Sequence, residues 1–180
     1  MTEDTYRKII ETYDWGKLKE LWNKIKEGEK TEFAEGKAFE YLIIRAFKLS
    51  GAEVEYPFLV KKDNQVIEQI DGIIHYRHLS CLVECKDWSR KVDFAVLAKM
   101  RSQLLRRPSS VIGTIFSTGG FTETAIILSA YMAPQTILLW EKTEIEYLIE
   151  KQNFAEALLV KYKMYIKEGT ADFNTASLGL

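Results

Sequence analysis

Histidine and cysteine are scarce in this chain, two of each in 180 residues. Cys81 and Cys85 stand four apart in an apolar stretch, neither the CxxC spacing of a zinc or redox motif nor a disulfide framework. On an extended strand their side chains would face the same way about 13 Å apart, out of reach of a disulfide. Both are read as reduced packing residues, which suits a reducing compartment. Two histidines make a multi-histidine metal site hard to build. Proline occurs only at 57, 108 and 134, which excludes a Pro-rich linker. No apolar run approaches the roughly 18 residues of a membrane span. Charged residues run through the first ten positions, where a secretory signal would need an apolar centre. The formal net charge of -1 gives no global attraction to nucleic acid, so any basic surface must be local. These absences leave a soluble single-domain chain as the expectation, intracellular (cytoplasmic, of prokaryotic type), with no membrane partner and no organic cofactor.

What is present is strong periodicity. Tyr6, Ile9, Ile10 and Tyr13, then Leu18, Leu21, Trp22 and Ile25, predict helices over 4–27 with an interruption at Gly16. Thr31 is a candidate N-cap for a helix reaching Leu49, with Phe33, Ala38, Phe39, Leu42, Ile43 and Ala46 inward. Three extended segments follow, at 53–60, 65–75 and 80–86. Turns at Lys61-Lys62-Asp63-Asn64 and Arg77-His78 separate them, so an antiparallel meander is expected. The rest reads as helix (92–106), strand (110–117), helix (122–133), strand (136–140) and two helices (142–150, 153–167). The tail beyond Gly169 lacks a pattern and is expected to be mobile. The order α, β-β-β, α-β-α-β predicts an α/β fold: a central mixed sheet of about five strands, flanked by helices, with right-handed crossovers and extra N-terminal helices. The expected division is an N-terminal helical extension (1–30), a core (31–150), and a C-terminal helix and tail packed on that core (151–180).

The chemistry lies in Gln69-Ile-Asp-Gly-Ile-Ile and Leu82-Val-Glu-Cys-Lys-Asp. Side chains alternate on a strand, so Glu84 and Lys86 project to one face about 7 Å apart, while Val83 and Cys85 take the other. Charge at the end of an apolar strand is costly without a partner or a task. Asp71 sits in equally apolar company, on the strand expected to pair with this one. Two converged carboxylates repel, and without a cation one takes up a proton. A hard divalent ion such as Mg²⁺ resolves the conflict through oxygen ligands, activates a bound water and neutralises phosphate charge. Lys86 could then stabilise an anionic transition state or help deprotonate the water. A bland reading stands beside this one: Glu84 and Lys86 as a strand-end ion pair of little energetic worth.

Asp71 followed by Glu84-Cys85-Lys86 at the end of the next apolar strand resembles the core signature of the PD-(D/E)XK nuclease superfamily, and within it the Mrr-like restriction endonucleases. Archaeal-type Holliday junction resolvases are a less close likeness. The resemblance covers roughly residues 35–150. Gly36-Lys-Ala-Phe-Glu-Tyr-Leu resembles the first helix of the family, and Gly113-Thr-Ile-Phe-Ser-Thr-Gly-Gly-Phe-Thr the strand after the catalytic one. It implies a restriction-endonuclease-like core. It also implies that Asp71, Glu84 and the Cys85 main-chain carbonyl bind Mg²⁺ or Mn²⁺, with Glu40 joining them and Lys86 catalytic. The substrate would be DNA, cut in some relatives by homodimers. Ile70 replaces the proline of the "PD" half, a position that supplies no ligand. Junction resolution, and a non-catalytic nucleic-acid or partner-binding domain on this scaffold, are the competing functions. Glu40 also reads as an ordinary solvated helix residue, like Glu32 and Glu35.

Between 86 and 107 stand seven basic residues against two acidic ones. Arg90, Lys91, Lys99 and Arg101 are candidate phosphate contacts, with Gln103 on the same helical face as Lys99. A plain solvated helix face accounts for the same charges. Ser117, Thr118 and Gly119 precede a helix start, where free N–H groups favour a phosphate, although a turn with Thr122 as N-cap explains that stretch too. Nine acids against seven bases in residues 1–35 make the N-terminus a poor DNA surface and a better packing or self-association segment.

Overall fold

The computed structural model describes residues 3–179. Helices α1 (Glu3–Glu11), α2 (Trp15–Glu27) and α3 (Lys37–Leu49) come first. Strands β1 (Glu53–Glu55), β2 (Phe58–Lys62), β3 (Gln65–Ile70), β4 (Gly72–Tyr76) and β5 (Leu79–Lys86) follow. Then come α4 (Phe94–Leu104), β6 (Val111–Ser117), α5 (Glu123–Ser129), β7 (Ile137–Glu141), α6 (Lys142–Lys151), α7 (Phe154–Glu168) and a 3₁₀ turn, Thr175–Leu178. Among the described residues no helix is long and apolar enough to cross a membrane.

The main sheet has five strands in the order β1-β4-β5-β6-β7. Its first two pairings are antiparallel, and β5–β6 and β6–β7 are parallel through α4 and α5. One face carries α1, α2, α3, α6 and α7 on a core that includes Phe39, Phe47, Val83, Phe116 and Trp140. The other carries α4 and α5 over Ile70, Leu82, Ile115 and Leu139. β5, the middle strand and mostly apolar from Leu79 to Val83, is therefore covered on both sides. Trp22 is buried in that core and Trp15 stacks on Phe154, so both tryptophans serve intramolecular packing.

The five-strand mixed sheet matches the expectation from sequence, and four local details do not. The first helical break falls before Gly16: the chain turns at Thr12–Asp14, and Asp14 caps α2 by accepting the Lys17 N–H. Thr31 caps no helix. Its hydroxyl accepts the Phe33 N–H within a turn, and α3 starts only after Gly36, whose φ of +77° is left-handed. The expected meander is split: β2 and β3 pair only with each other, as a hairpin outside the main sheet. Val66 and Ile67 of that hairpin are exposed, and the core resumes at Ile70. Last, the tail is held in place. Leu139 N–H donates to the Ala171 carbonyl at 2.9 Å, along the free edge of β7. Lys161, fully buried, donates to Glu144 (2.6 Å) and to the Phe173 carbonyl (2.7 Å), while Glu144 also accepts the Thr175 amide and hydroxyl. A buried ion pair answered by tail groups explains why a segment without periodicity is nevertheless fixed.

Candidate active site

The site lies at the start of β4. β4 and β5 pair from Tyr76↔Leu79 to Gly72↔Val83, and there the antiparallel ladder stops. The chain bends at Asp71, between β3 and β4, so its carboxylate takes over the missing pairing: Cys85 N–H donates to Asp71 Oδ2 at 2.7 Å. Glycine at 72 lets α3 pack over this end of β4, because a Cβ there would lie 2.5 Å from Ile44 Cδ1. In an antiparallel ladder the N–H and C=O of one residue point to the same edge. The Cys85 carbonyl thus opens onto the edge that Asp71 guards. On the other edge the Lys86 carbonyl accepts the Thr118 N–H at 3.1 Å.

Glu84 and Lys86 project toward α4, opposite Val83 and Cys85, as alternation requires. Glu84 is 2% exposed and is held by two ammonium groups: Lys86 Nζ at 2.5 Å from Oε1, and Lys99 Nζ of α4 at 3.0 and 3.2 Å. Glu40, on the first turn of α3, receives Lys37 Nζ at 2.5 Å. Among the described residues no three His, Cys, Asp or Glu side chains already form a cation cage. Each glutamate carries a lysine instead.

The electrostatics show how closely these groups sit. Burial, then the charges of Glu40 and Glu84, push the Asp71 carboxyl up to about 7 against the pull of the Cys85 N–H and Lys86. Burial raises Glu40 as well, against Lys37 and Lys86. Burial works against the Lys86 charge, but Glu84 and Asp71 outweigh it and hold the ammonium above its ordinary value. Cys85, buried among these carboxylates, has its thiol pushed well up and is inert as a nucleophile. Three carboxylates and an open carbonyl, balanced by lysines, offer oxygen donors only. That fits a hard dication, with Asp71, Glu84 and the Cys85 carbonyl as the residues able to hold it and Glu40 beside them.

The remaining predicted residues divide. Arg90 and Lys91 are exposed in the loop after β5, with Arg90 stacked over the Trp88 ring at 4.2 Å. Arg101 is exposed on α4. Lys99 belongs to the acid cluster itself rather than to an outlying basic face. Gln103 is 3% exposed and turned into the core, and Ser117 is fully buried with its hydroxyl on the Gly120 carbonyl, so neither side chain presents itself to a partner. Thr118 hydroxyl donates to Asp87 at 2.8 Å. A Cβ on Gly119 would lie 2.4 and 2.5 Å from the Arg90 and Trp88 carbonyls, so glycine is demanded there by packing. Beside this turn lies a cleft of about 500 Å³, lined by Asp87, Trp88, Thr118, Gly119 and the start of α3's preceding loop at Gly28. Sequence reasoning missed Lys37 and Trp88. Lys37 stands three residues before Glu40, a helical spacing that brings the two together. Trp88 follows Lys86 by two residues and lies 5.4 Å from its ammonium.

A helix-flanked mixed sheet with this strand order is a restriction-endonuclease fold. The small subunit of the heterodimeric restriction endonuclease R.BspD6I shares it, with a TM-score of 0.53, 16% identity, and coverage of 82% of this chain and 87% of that one. Looser likenesses are the MspJI restriction endonuclease in complex with a 27-mer oligonucleotide (TM-score 0.43, 19% identity, 92% of this chain and 39% of that one) and a protein of unknown function (0.44, 15%, 63% and 77%). A comparison with curated proteins gives no match. A family model described as Restriction endonuclease, Mrr_cat, matches residues 32–149, and the chain belongs to that family, of the PD-(D/E)XK type.

Proposed function

We propose that this restriction-endonuclease-like domain is a Mg²⁺- or Mn²⁺-dependent, Mrr-type DNA endonuclease of the cytoplasm, hydrolysing phosphodiester bonds at the end of β5. The observation that carries this reading is the placement of Asp71: one carboxylate bonds the Cys85 amide while facing Glu84, the next residue back along β5. Asp71, Glu84 and the Cys85 carbonyl would hold the ion, with Glu40 assisting directly or through a water. A bound ion of this kind lowers the pKa of a coordinated water and neutralises charge on the phosphate. Lys86 beside the acids would offset the negative charge that builds on the phosphoryl oxygens or help deprotonate the attacking water. The fixed β5–Asp71 bond orients the acids before substrate arrives, which avoids reorganisation during the reaction.

Arg90, Lys91 and Arg101 would hold DNA backbone phosphates next to the site, and Thr118 and Gly119 shape the turn beside it. The proposed functional core is 31–150, with 1–30 and 151–180 as supporting segments; a homodimer is the simplest assembly giving one such site per strand. Supercoiled plasmid tests the reading. Wild-type protein converts it to nicked or linear DNA with Mg²⁺, and Asp71→Asn and Glu84→Gln do not. Equal conversion by all three overturns the assignment.

A further inference from the structure

Lysines match the acids around the end of β5 in number. Three carboxylates (Glu40, Asp71, Glu84) face three ammonium groups, of which only Lys86 stands on β5, beside Glu84. Lys37 reaches Glu40 from α3, and Lys99 reaches Glu84 from α4, on the opposite face of the sheet. Their side chains are 26% and 54% exposed, so both heads border solvent on long flexible stems. The other neighbour of Lys37 is Glu3, at 3.8 Å. Glu84 is buried and Glu40 largely so, which means both acids need a counter-charge, and these solvent-bordering ammonium groups are the ones another cation can replace.

We propose that Lys37 and Lys99 are exchangeable counter-cations: they neutralise Glu40 and Glu84 while no divalent ion is bound, and transfer to DNA phosphates when one is. The charge balances, since a single dication replaces two ammonium ions. This rests on the reading of the acids as a dication site. The carboxylates stay neutralised in either state. The released ammonium groups, tethered on either side of the site, meet the polyanion from both faces. Metal uptake would thereby prepare the substrate contacts, so that ion and DNA each favour binding of the other.

Amine labelling of the full-length protein, read by mass spectrometry with Lys167 as the exposed reference, tests this. The same samples are titrated calorimetrically with Mn²⁺, with Asp71→Asn as the binding control. Mn²⁺ alone is expected to raise labelling of Lys37 and Lys99 by about two- to fivefold as their ion pairs open. A duplex added to the Mn²⁺-loaded Lys86→Ala variant, which leaves the DNA whole, lowers it again. Unchanged labelling at both lysines while Mn²⁺ binds in an Asp71-dependent way overturns the exchange and leaves the site reading standing. A wild-type protein that takes up no Mn²⁺ overturns both.

Discussion

Asp71 and Cys85 are joined by a 2.7 Å hydrogen bond in which a side-chain carboxylate substitutes for the strand that β4 ceases to provide. That single bond ties the bend after β3 to the end of the central strand, and places an acid beside Glu84. It is costly to keep. Burial and two neighbouring carboxylates oppose the charge that the site needs.

The cost has a pH signature. The Asp71 carboxyl moves from 3.8 to about 7 on folding, so the folded state holds the proton more tightly than the unfolded chain. Stability from this residue is complete below about 4, declines as pH rises, and is gone above about 7. In chelator at pH 8, Asp71→Asn is therefore expected to be more stable than wild type by on the order of 1–2 kcal/mol. Asn keeps an acceptor for the Cys85 amide. Thermal melts at pH 4 and pH 8 check this, with the difference confined to the higher pH.

Lys161 and Glu144 form the other costly pair, and here the charges fasten the tail. Lys161→Met leaves Glu144 buried with Thr175 alone, a loss expected at about 3–5 kcal/mol. Limited proteolysis should then cut the segment after Gly169, which is expected to resist in wild type.

Gly119→Ala tests whether the turn after β6 is a matter of packing. A methyl group would overlap the Trp88 and Arg90 carbonyls, and the expected cost is about 1–3 kcal/mol, seen as a lowered melting temperature.

Salt dependence separates exposed from buried candidates. Lys91→Ala and Arg101→Ala should each reduce the slope of log affinity for duplex DNA against log salt by about 1. Gln103→Ala, at a core position, should leave that slope unchanged.

Much of this was legible in the residues because alternation and apolar flanking are local facts. Glu84 and Lys86 share a face for the reason any residues two apart on a strand do, and the apolar run before them marks a central strand. The position of Asp71 was only half legible. Its apolar company showed that its charge was unusual, but 65–75 reads as one continuous strand although the chain breaks at Asp71 to pass from the hairpin into the main sheet. The hairpin formed by β2 and β3 alternates like a sheet strand yet exposes Val66 and Ile67, so local pattern could not tell it from the main sheet. Lys99 and Gln103 share a helical face in sequence but not a role in space: α4 turns one toward Glu84 and the other into the core. Tertiary contact decides such cases. The tail was illegible for the same reason, since it is fixed by Lys161 and Glu144 from other elements.

Cleavage by Lys86→Ala is the most direct test of the central claim, because Lys99 remains to neutralise Glu84 and the fold should survive. Single-turnover assays on supercoiled plasmid with Mg²⁺, alongside a melting curve, are expected to show a loss of about 10²-fold or more at a near wild-type melting temperature. A folded Lys86→Ala protein that cuts at the wild-type rate would contradict the account.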